Sequence, residues 1–532
     1  MPPVRLKALT PIIAIVVITL FFWVVDHYDR AALTRFTHPL DRLSPPSSQP
    51  PKDHNARPPP QADIQKPKTP DQLCASGNHP LHRSPPLPPL SFPEWLMGKN
   101  YTRTYLRPHH LPPDTKFKSM ETIGQQVLQP FRPLGRGMRA PVMDPHDPWP
   151  CPNIIDVDVA ADYDVEETSN ILFGLATTVD RLHRLLPALL YSYGSTKASL
   201  LVLVPGDTQK IEENEAYFRN AGLDITLKKF PLAFTARYFG LVEGFTDFIK
   251  SHRPNTTWVS FVDDDTYFLS LATVAKQLST FDPSQRVYIG TLSEASWQVD
   301  TFGQIGFGGA GVFVSLPLLE RLHGAYETCQ SWGEQPGDQK LAQCIDKFGE
   351  TSLTIWDTLY QMDMKGAVDG VYESGRQIHT LHHWSSWYKK DVVKMSTVAA
   401  AAGRQSILRR FRFDEYHTID STTGTTMHSF WVLTNGYSLV KYTMNARLSP
   451  SAVDFDKTEK TWDEDQRGYE KRLGPMRPKD QPGIKKERWM LADSTVVGDN
   501  VHQSYVNDEG GMHSVIELVW LGPKGGGGGA GV

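Results

Sequence analysis

The chain is poor in cysteine, with four (Cys74, Cys151, Cys329, Cys344) among 532 residues. The number is even, and taken alone it decides nothing. The chain also lacks an excess of either charge. A formal net charge of −4 gives no basic surface for a nucleic-acid partner. Beyond residue 25 no apolar run is long enough to cross a bilayer, and no internal repeat is present. No Gly-Lys-Ser/Thr follows the glycine-rich stretch at 306–311, which also lacks the strand-turn-helix setting of a dinucleotide fingerprint. A P-loop nucleotidase and a nicotinamide enzyme are thereby set aside. What remains is a chain too long for one ordinary domain, with 40% hydrophobic and 21% charged residues, able to bury a large core.

The one long apolar segment is ALTPIIAIVVITLFFWVV, residues 8–25, free of charge and preceded by Arg5 and Lys7. As a helix it spans roughly 27 Å, close to the hydrocarbon thickness of an early secretory membrane. The basic residues on its N-terminal side predict a cytosolic tail (1–7), an uncleaved anchor (8–25) and a lumenal remainder. A cleaved signal peptide is the alternative, but no small-x-small site precedes Asp26. Sequons at Asn100 and Asn255 fit a lumenal placement. There Cys329 could pair with Cys344, and Cys74 with Cys151.

Residues 26–91 are proline-rich (PPSSQPP, RSPPLPPLSFP) and read as a disordered stalk. Residues 92–169 read as an irregular lead-in packed on the domain that follows. From Asn170 apolar runs alternate with helical periodicity: ILFGLATTV, DRLHRLLPALLYSYG, SLLVLVPGD, EENEAYFRNAG, DITLKKF, ARYFGLVEGFTDFIKSH and TTWVSFVDDDTYFL. The alternation predicts an α/β domain over 170–390 with a largely parallel sheet, whose ligands bind at the carboxyl ends of the strands. Residues 391–520 (FRFDEYHTID, HSFWVLTNG, YSLVKYTM, VIELVW) read as a β-rich accessory region, and 521–532 as a Gly-rich tail.

Four motifs carry possible chemistry. Asp263, Asp264 and Asp265 follow an apolar strand. Burying three carboxylates without a counter-ion costs several kcal/mol each, and a divalent ion with hard oxygen ligands, Mg²⁺ or Mn²⁺, relieves this. A solvated acidic turn is the alternative. Gly306, Gly308, Gly309 and Gly311 crowd a loop ahead of an apolar helix, where backbone could approach a ligand or simply turn tightly. Asp338 opens a helix, either as a cap or as a reactive carboxylate. His382 and His383 are adjacent, so at most one is expected to ligate a metal. Trp297, Trp332 and Trp384 could stack on sugars or fill the core.

In this order, DDD after WVSFV, GGAG after an IGT strand, a GD acid near a cysteine and a terminal LHHW resemble the fringe-related β-1,3-glycosyltransferases, glycosyltransferase family 31, in its fungal/plant-like branch. The resemblance covers about 170–384. It implies a GT-A fold, Rossmann-like with flanking helices, in a type II Golgi membrane protein. The implied chemistry uses a UDP-sugar donor, a divalent metal, usually Mn²⁺, and a glycan or glycoprotein acceptor, with inversion at the anomeric carbon. Carried over by position, Asp265 binds the metal, Asp263 and Asp264 help hold metal, ribose or sugar, and His382 is the metal histidine, with His383 the fallback. The GGAG loop, Gly308, Gly309, Ala310 and Gly311, lets backbone approach the donor sugar or acceptor. Asp338 falls at the catalytic base, although the family shows two adjacent acids where this chain has Gly-Asp-Gln. A degenerate lectin-like binder on the same fold is the alternative from another class. A glycoside hydrolase with paired carboxylates leaves the motif order unexplained.

Overall fold

A computed structural model describes residues 99–522 apart from 126, 129–130, 134–153, 415–417, 420–421, 449, 463–471 and 508–512. The expected cytosolic tail, anchor, stalk and Cys74–Cys151 pair lie outside the described residues, as does residue 523 onward of the tail. Among the described residues no helix is long and apolar enough to cross a membrane.

The α/β part is built on seven strands: β1 (Ile171–Ala176), β2 (Ser199–Pro205), β3 (Ile225–Phe230), β4 (Trp258–Phe261), β5 (Tyr288–Gly290), β6 (Val312–Ser315) and β7 (Leu353–Ile355). They lie in the order β7-β5-β6-β4-β1-β2-β3. β1 and β4 are apolar at nearly every position because both faces are covered, whereas edge strand β3 alternates. On one face lies α1 (Val179–Leu189), capped by Thr178. Helix α2 (Phe234–His252) presses so closely on β1 that a Cβ on Gly174 would stand 2.2 Å from the Phe245 ring.

The sheet is not wholly parallel. β1, β2, β3 and β4 run together, but β6 is antiparallel to both β4 and β5. Residues Val312–Ser315, expected to lead straight into a helix, form this reversed strand, and the helix begins at Leu316. The reversal matters because Val312 pairs with Phe261, so the glycine turn before β6 lands beside the acids that follow β4. The chain also leaves β1 toward β2 on one side and returns to β4 on the other. The loops after β1 and β4 therefore diverge at a topological switch point, where open α/β sheets form a crevice.

Of the other described strands, eleven form one sheet and four form two small two-stranded sheets, and the large sheet revises two expectations. The stretch 92–169 is not merely irregular. Asn100–Leu111 is a twelve-residue strand that pairs in parallel with Ser514–Trp520 on one side and Ile154–Ala160 on the other. Nor is 391–520 a mere accessory. Tyr267 and Leu269, just past β4, share a core with Trp431, Trp489 and Trp520 of this sheet. Inside the sheet, Arg103 (Nε to Oε2, 2.6 Å), His502 (Nδ1 to Oε1, 2.7 Å) and the Tyr101 hydroxyl converge on buried Glu517. Burial works against that carboxylate, yet Arg103 and His502 hold it down at about 2.

Cys329 forms a disulfide with Cys344, the last residue of α3 (Gly337–Cys344). Both sequon residues are exposed.

Candidate active site

The three acids have different fates. Asp265 is buried, and its Oδ1 lies 3.1 Å from Nε2 of His382. Asp263 Oδ2 lies 3.5 Å from the same nitrogen. Asp264 turns the other way. Arg181, from the first turn of α1, grips it with two N–H donors at 2.5 Å each, and the Thr177 hydroxyl adds a third bond. Expected to help hold metal, ribose or sugar, Asp264 is instead occupied in fixing the loop after β1 to the loop after β4.

His382 is aimed by its neighbours. Its Nδ1 donates to the Gln361 carbonyl at 3.0 Å, which can only accept, and its Nε2 faces Asp265 and Asp263, donating to them when the ring is protonated and free to ligate a metal once that proton is lost. Metal-ligating histidines are oriented this way by outer partners. Cis ligands of an octahedral ion bound at about 2.1 Å stand about 3.0 Å apart, close to the Asp265–His382 separation. Asp265, His382 and His383 each offer a ligand atom within 4.8 Å of the others. The donor set of carboxylates and imidazole suits Mn²⁺ or Mg²⁺, as the family resemblance requires.

His383 differs in kind. Its Nε2 is 3.0 Å from Asp363 Oδ1, its ring stacks on Trp387 at 3.8 Å, and its φ is +55°. Ser386 links the two motifs, donating to Asp265 Oδ2 at 3.3 Å. Asp363 is itself held by the Ser293 hydroxyl at 2.8 Å and donates its N–H to Glu294.

Charge is concentrated here. Burial would push the His382 imidazole down, but Asp265 and Asp263 outweigh it and raise it to about 10. Asp263 keeps 35% of its side chain exposed, yet its dense surroundings lift its carboxyl to about 7 through burial, with Asp265 and Asp338 adding to the rise and His382 opposing it. Asp265 goes the other way: burial opposes the charge, but His382 holds it far below the usual range.

Asp338 is near enough to help raise the Asp263 carboxyl. Its Oδ2 accepts from Gly308 N at 3.3 Å and its Oδ1 from its neighbour Gln339 N at 2.8 Å. Burial raises its carboxyl above the ordinary value. The glycine turn packs closely on the protein's own side chains. Gly308, Gly309, Ala310 and Gly311 are all buried and support side chains. A Cβ on Gly309 would strike the His382 ring at 2.2 Å, and one on Gly308 the Tyr238 hydroxyl at 2.4 Å. The Gly309 and Ala310 carbonyls accept from Thr266 and Thr380 at 2.9 Å each. Gly311 supplies a φ of +93° at the entry to β6.

Of the tryptophans, Trp332 stacks on Phe348 and Trp384 packs edge-on to Tyr267. Trp297 is 52% exposed, three residues past buried Glu294. Thr177, Arg181, Tyr238, Asp363 and Ser386 carried no motif and were missed. Tyr238 was masked by its place in an amphipathic helix, though its hydroxyl is buried without a hydrogen-bond partner.

No curated protein sequence matches the chain. Among solved structures it is similar to the mannosyltransferase PcManGT of Pyrobaculum calidifontis in complex with GDP-Man and Mn²⁺, at 13% identity and a TM-score of 0.24, over 41% of this chain and 64% of that one. A glycosyltransferase involved in glycosylation of the major capsid of PBCV-1 aligns at 17% identity and a TM-score of 0.27, over 42% of this chain and 98% of that one. GlyE of Streptococcus pneumoniae TIGR4 aligns at 15% identity and a TM-score of 0.23, over 35% and 44%. The stretch 234–398, which holds the three acids, the glycine turn, Asp338 and both histidines, matches the family described as Fringe-like.

Proposed function

We propose that the protein is an inverting glycosyltransferase that moves a hexose or N-acetylhexosamine from a UDP-sugar to a glycan hydroxyl, in the β-1,3 manner of fringe-related enzymes. The observation that carries this reading is the meeting of Asp263, Asp265 and His382 Nε2 at the switch point, with Asp338 near enough to raise the Asp263 carboxyl. Asp265, Asp263 and His382 would hold Mn²⁺ or Mg²⁺, and His383 stands by. A bound divalent ion neutralises the charge that builds on the departing diphosphate.

The chain's own residues do the rest. Asp338, its carboxyl raised by burial, is poised to take the proton of the acceptor hydroxyl as that oxygen attacks the anomeric carbon and the bond to the diphosphate breaks. Backbone N–H groups of Gly308 and Gln339 fix its orientation. Arg181 and Asp264 hold the crevice walls together. Trp297 offers an exposed face for an acceptor sugar. The expected anchor and the two exposed sequons favour a Golgi lumenal setting, type II.

The test is UDP release by the purified full-length protein across a panel of UDP-sugars, with and without Mn²⁺. Asp265→Ala should abolish release, and Asp338→Asn should abolish transfer while sparing Mn²⁺-dependent UDP binding. Failure of every UDP-sugar to bind with Mn²⁺ present would sink the proposal and favour the lectin-like alternative.

A further inference from the structure

The second sheet contains a feature that the reaction does not use. A cavity of about 210 Å³ opens over the strands Ser438–Asn445 and Ile484–Val497. Arg477, Lys479, Lys486 and Arg488 line it, with Asp480 the only carboxylate among its lining residues. None of its lining comes from the loops that carry Asp263–Asp265, Asp338 or His382.

Two buried glutamates stand behind these cations and do not satisfy them. Glu459 is shared between the Lys486 ammonium and Arg477 Nη1 at 2.6 Å. Glu373 takes Arg488 Nη2 at 2.8 Å, and Asp369 lies 4.0 Å from Arg488 Nη1 while also pairing with Lys390 at 3.4 Å. Lys479 and Asp480 both line the cavity. Glu459, Glu373 and Asp369 thus serve four cations, Arg477, Lys486, Arg488 and Lys390, in a region where an uncompensated charge is costly. The Nε atoms of Arg477 and Arg488 remain buried without a hydrogen-bond partner, so the guanidinium groups are not used up by the protein's own acids. The Lys486 ammonium is pushed down by burial, and Arg488 pushes it further, even against Glu459.

We propose that this cavity binds a phosphate group, free or borne on a sugar, at a site separate from the Asp263–Asp265 centre. Guanidinium and ammonium donors converge there from several directions. A tetrahedral oxyanion can meet them on all sides, whereas a planar carboxylate offers two oxygens in one plane. The site stands whether or not the donor reading above is correct, since it shares no residue with it.

Calorimetric titration of the full-length protein in EDTA with inorganic phosphate, glucose 6-phosphate and glucuronate tests this. One saturable equivalent of phosphate or glucose 6-phosphate is expected, with the tighter of the two identifying the source, and the same result in Asp265→Ala. Lys479→Ala, at an exposed position, should weaken binding about fivefold, and Asp480→Asn should strengthen it about threefold. Absence of saturable binding, indifference to both substitutions, or glucuronate binding as tight as glucose 6-phosphate would overturn the assignment.

Discussion

The imidazole of His382 occupies the space that any side chain on residue 309 would need, with a Cβ there only 2.2 Å from its Cε1. The glycine in the turn and the histidine some seventy residues later are therefore one unit. Gly309→Ala should displace the ring and weaken Mn²⁺ binding at least tenfold, equivalent to about 1.4 kcal/mol. The check is the rise in melting temperature on adding Mn²⁺, which should vanish. Gly324→Ala, where nothing lies within 4 Å, is the control and should leave that rise intact.

Arg181 and Asp264 join the loops after β1 and β4. Asp264 is 7% exposed and Arg181 41% exposed on their side chains, so solvent screens part of the attraction. Asp264→Asn and Arg181→Met should each cost about 1–2 kcal/mol in urea unfolding. The double variant should cost clearly less than the sum. Strict additivity would show that the pair does not couple the two loops.

Glu517 gives the protein an acid limit. Its folded value, about 2, lies below the ordinary glutamate value of about 4.3. The folded state thus binds fewer protons, and the stabilisation is complete above the unfolded value and is lost as pH falls toward the folded one. Its worth near neutrality is about 3 kcal/mol. Melting temperature should fall from about pH 5 toward pH 2, and Glu517→Gln should lower it at neutral pH and flatten that descent.

The Cys329–Cys344 bond closes a loop of fifteen-residue separation that includes Asp338. Replacing both cysteines by serine should lower stability by about 3 kcal/mol through release of loop entropy in the unfolded chain. Activity should fall more than Mn²⁺ affinity, because Asp338 moves with the loop whereas Asp265 and His382 do not. Equal losses in both would count against that separation.

How far the residues disclosed this arrangement depended on the range of the interactions. The strands from Ile171 to Phe261 were legible because burial on both faces leaves unbroken apolar runs. The acids were placed correctly because a polar cluster directly after such a run must lie at a strand end. Asn100–Leu111 was not legible. Four of its five buried positions are Tyr101, Thr102, Arg103 and Thr104, with only Leu106 aliphatic, and the ion-pair partner that satisfies Arg103, Glu517, lies about four hundred residues away. The glycines were recognised as close-approach positions, but what approaches is a histidine ring and a tyrosine hydroxyl of the protein itself. Asp264 could not be told from its neighbours until Arg181 stood opposite it, a pairing that only the fold creates.

The parallel match between Tyr101 and Val515, repeated residue by residue as far as Leu106 and Trp520, has a practical outcome for anyone preparing shorter versions of the protein. Cutting at residue 170 would remove the partner on which the final strand rests and leave an open, sticky border. Stopping at 390 would strip the shared wall behind Tyr267 and Leu269. The α/β part cannot be excised by following the motifs, since the first and last of the described strands are fastened side by side.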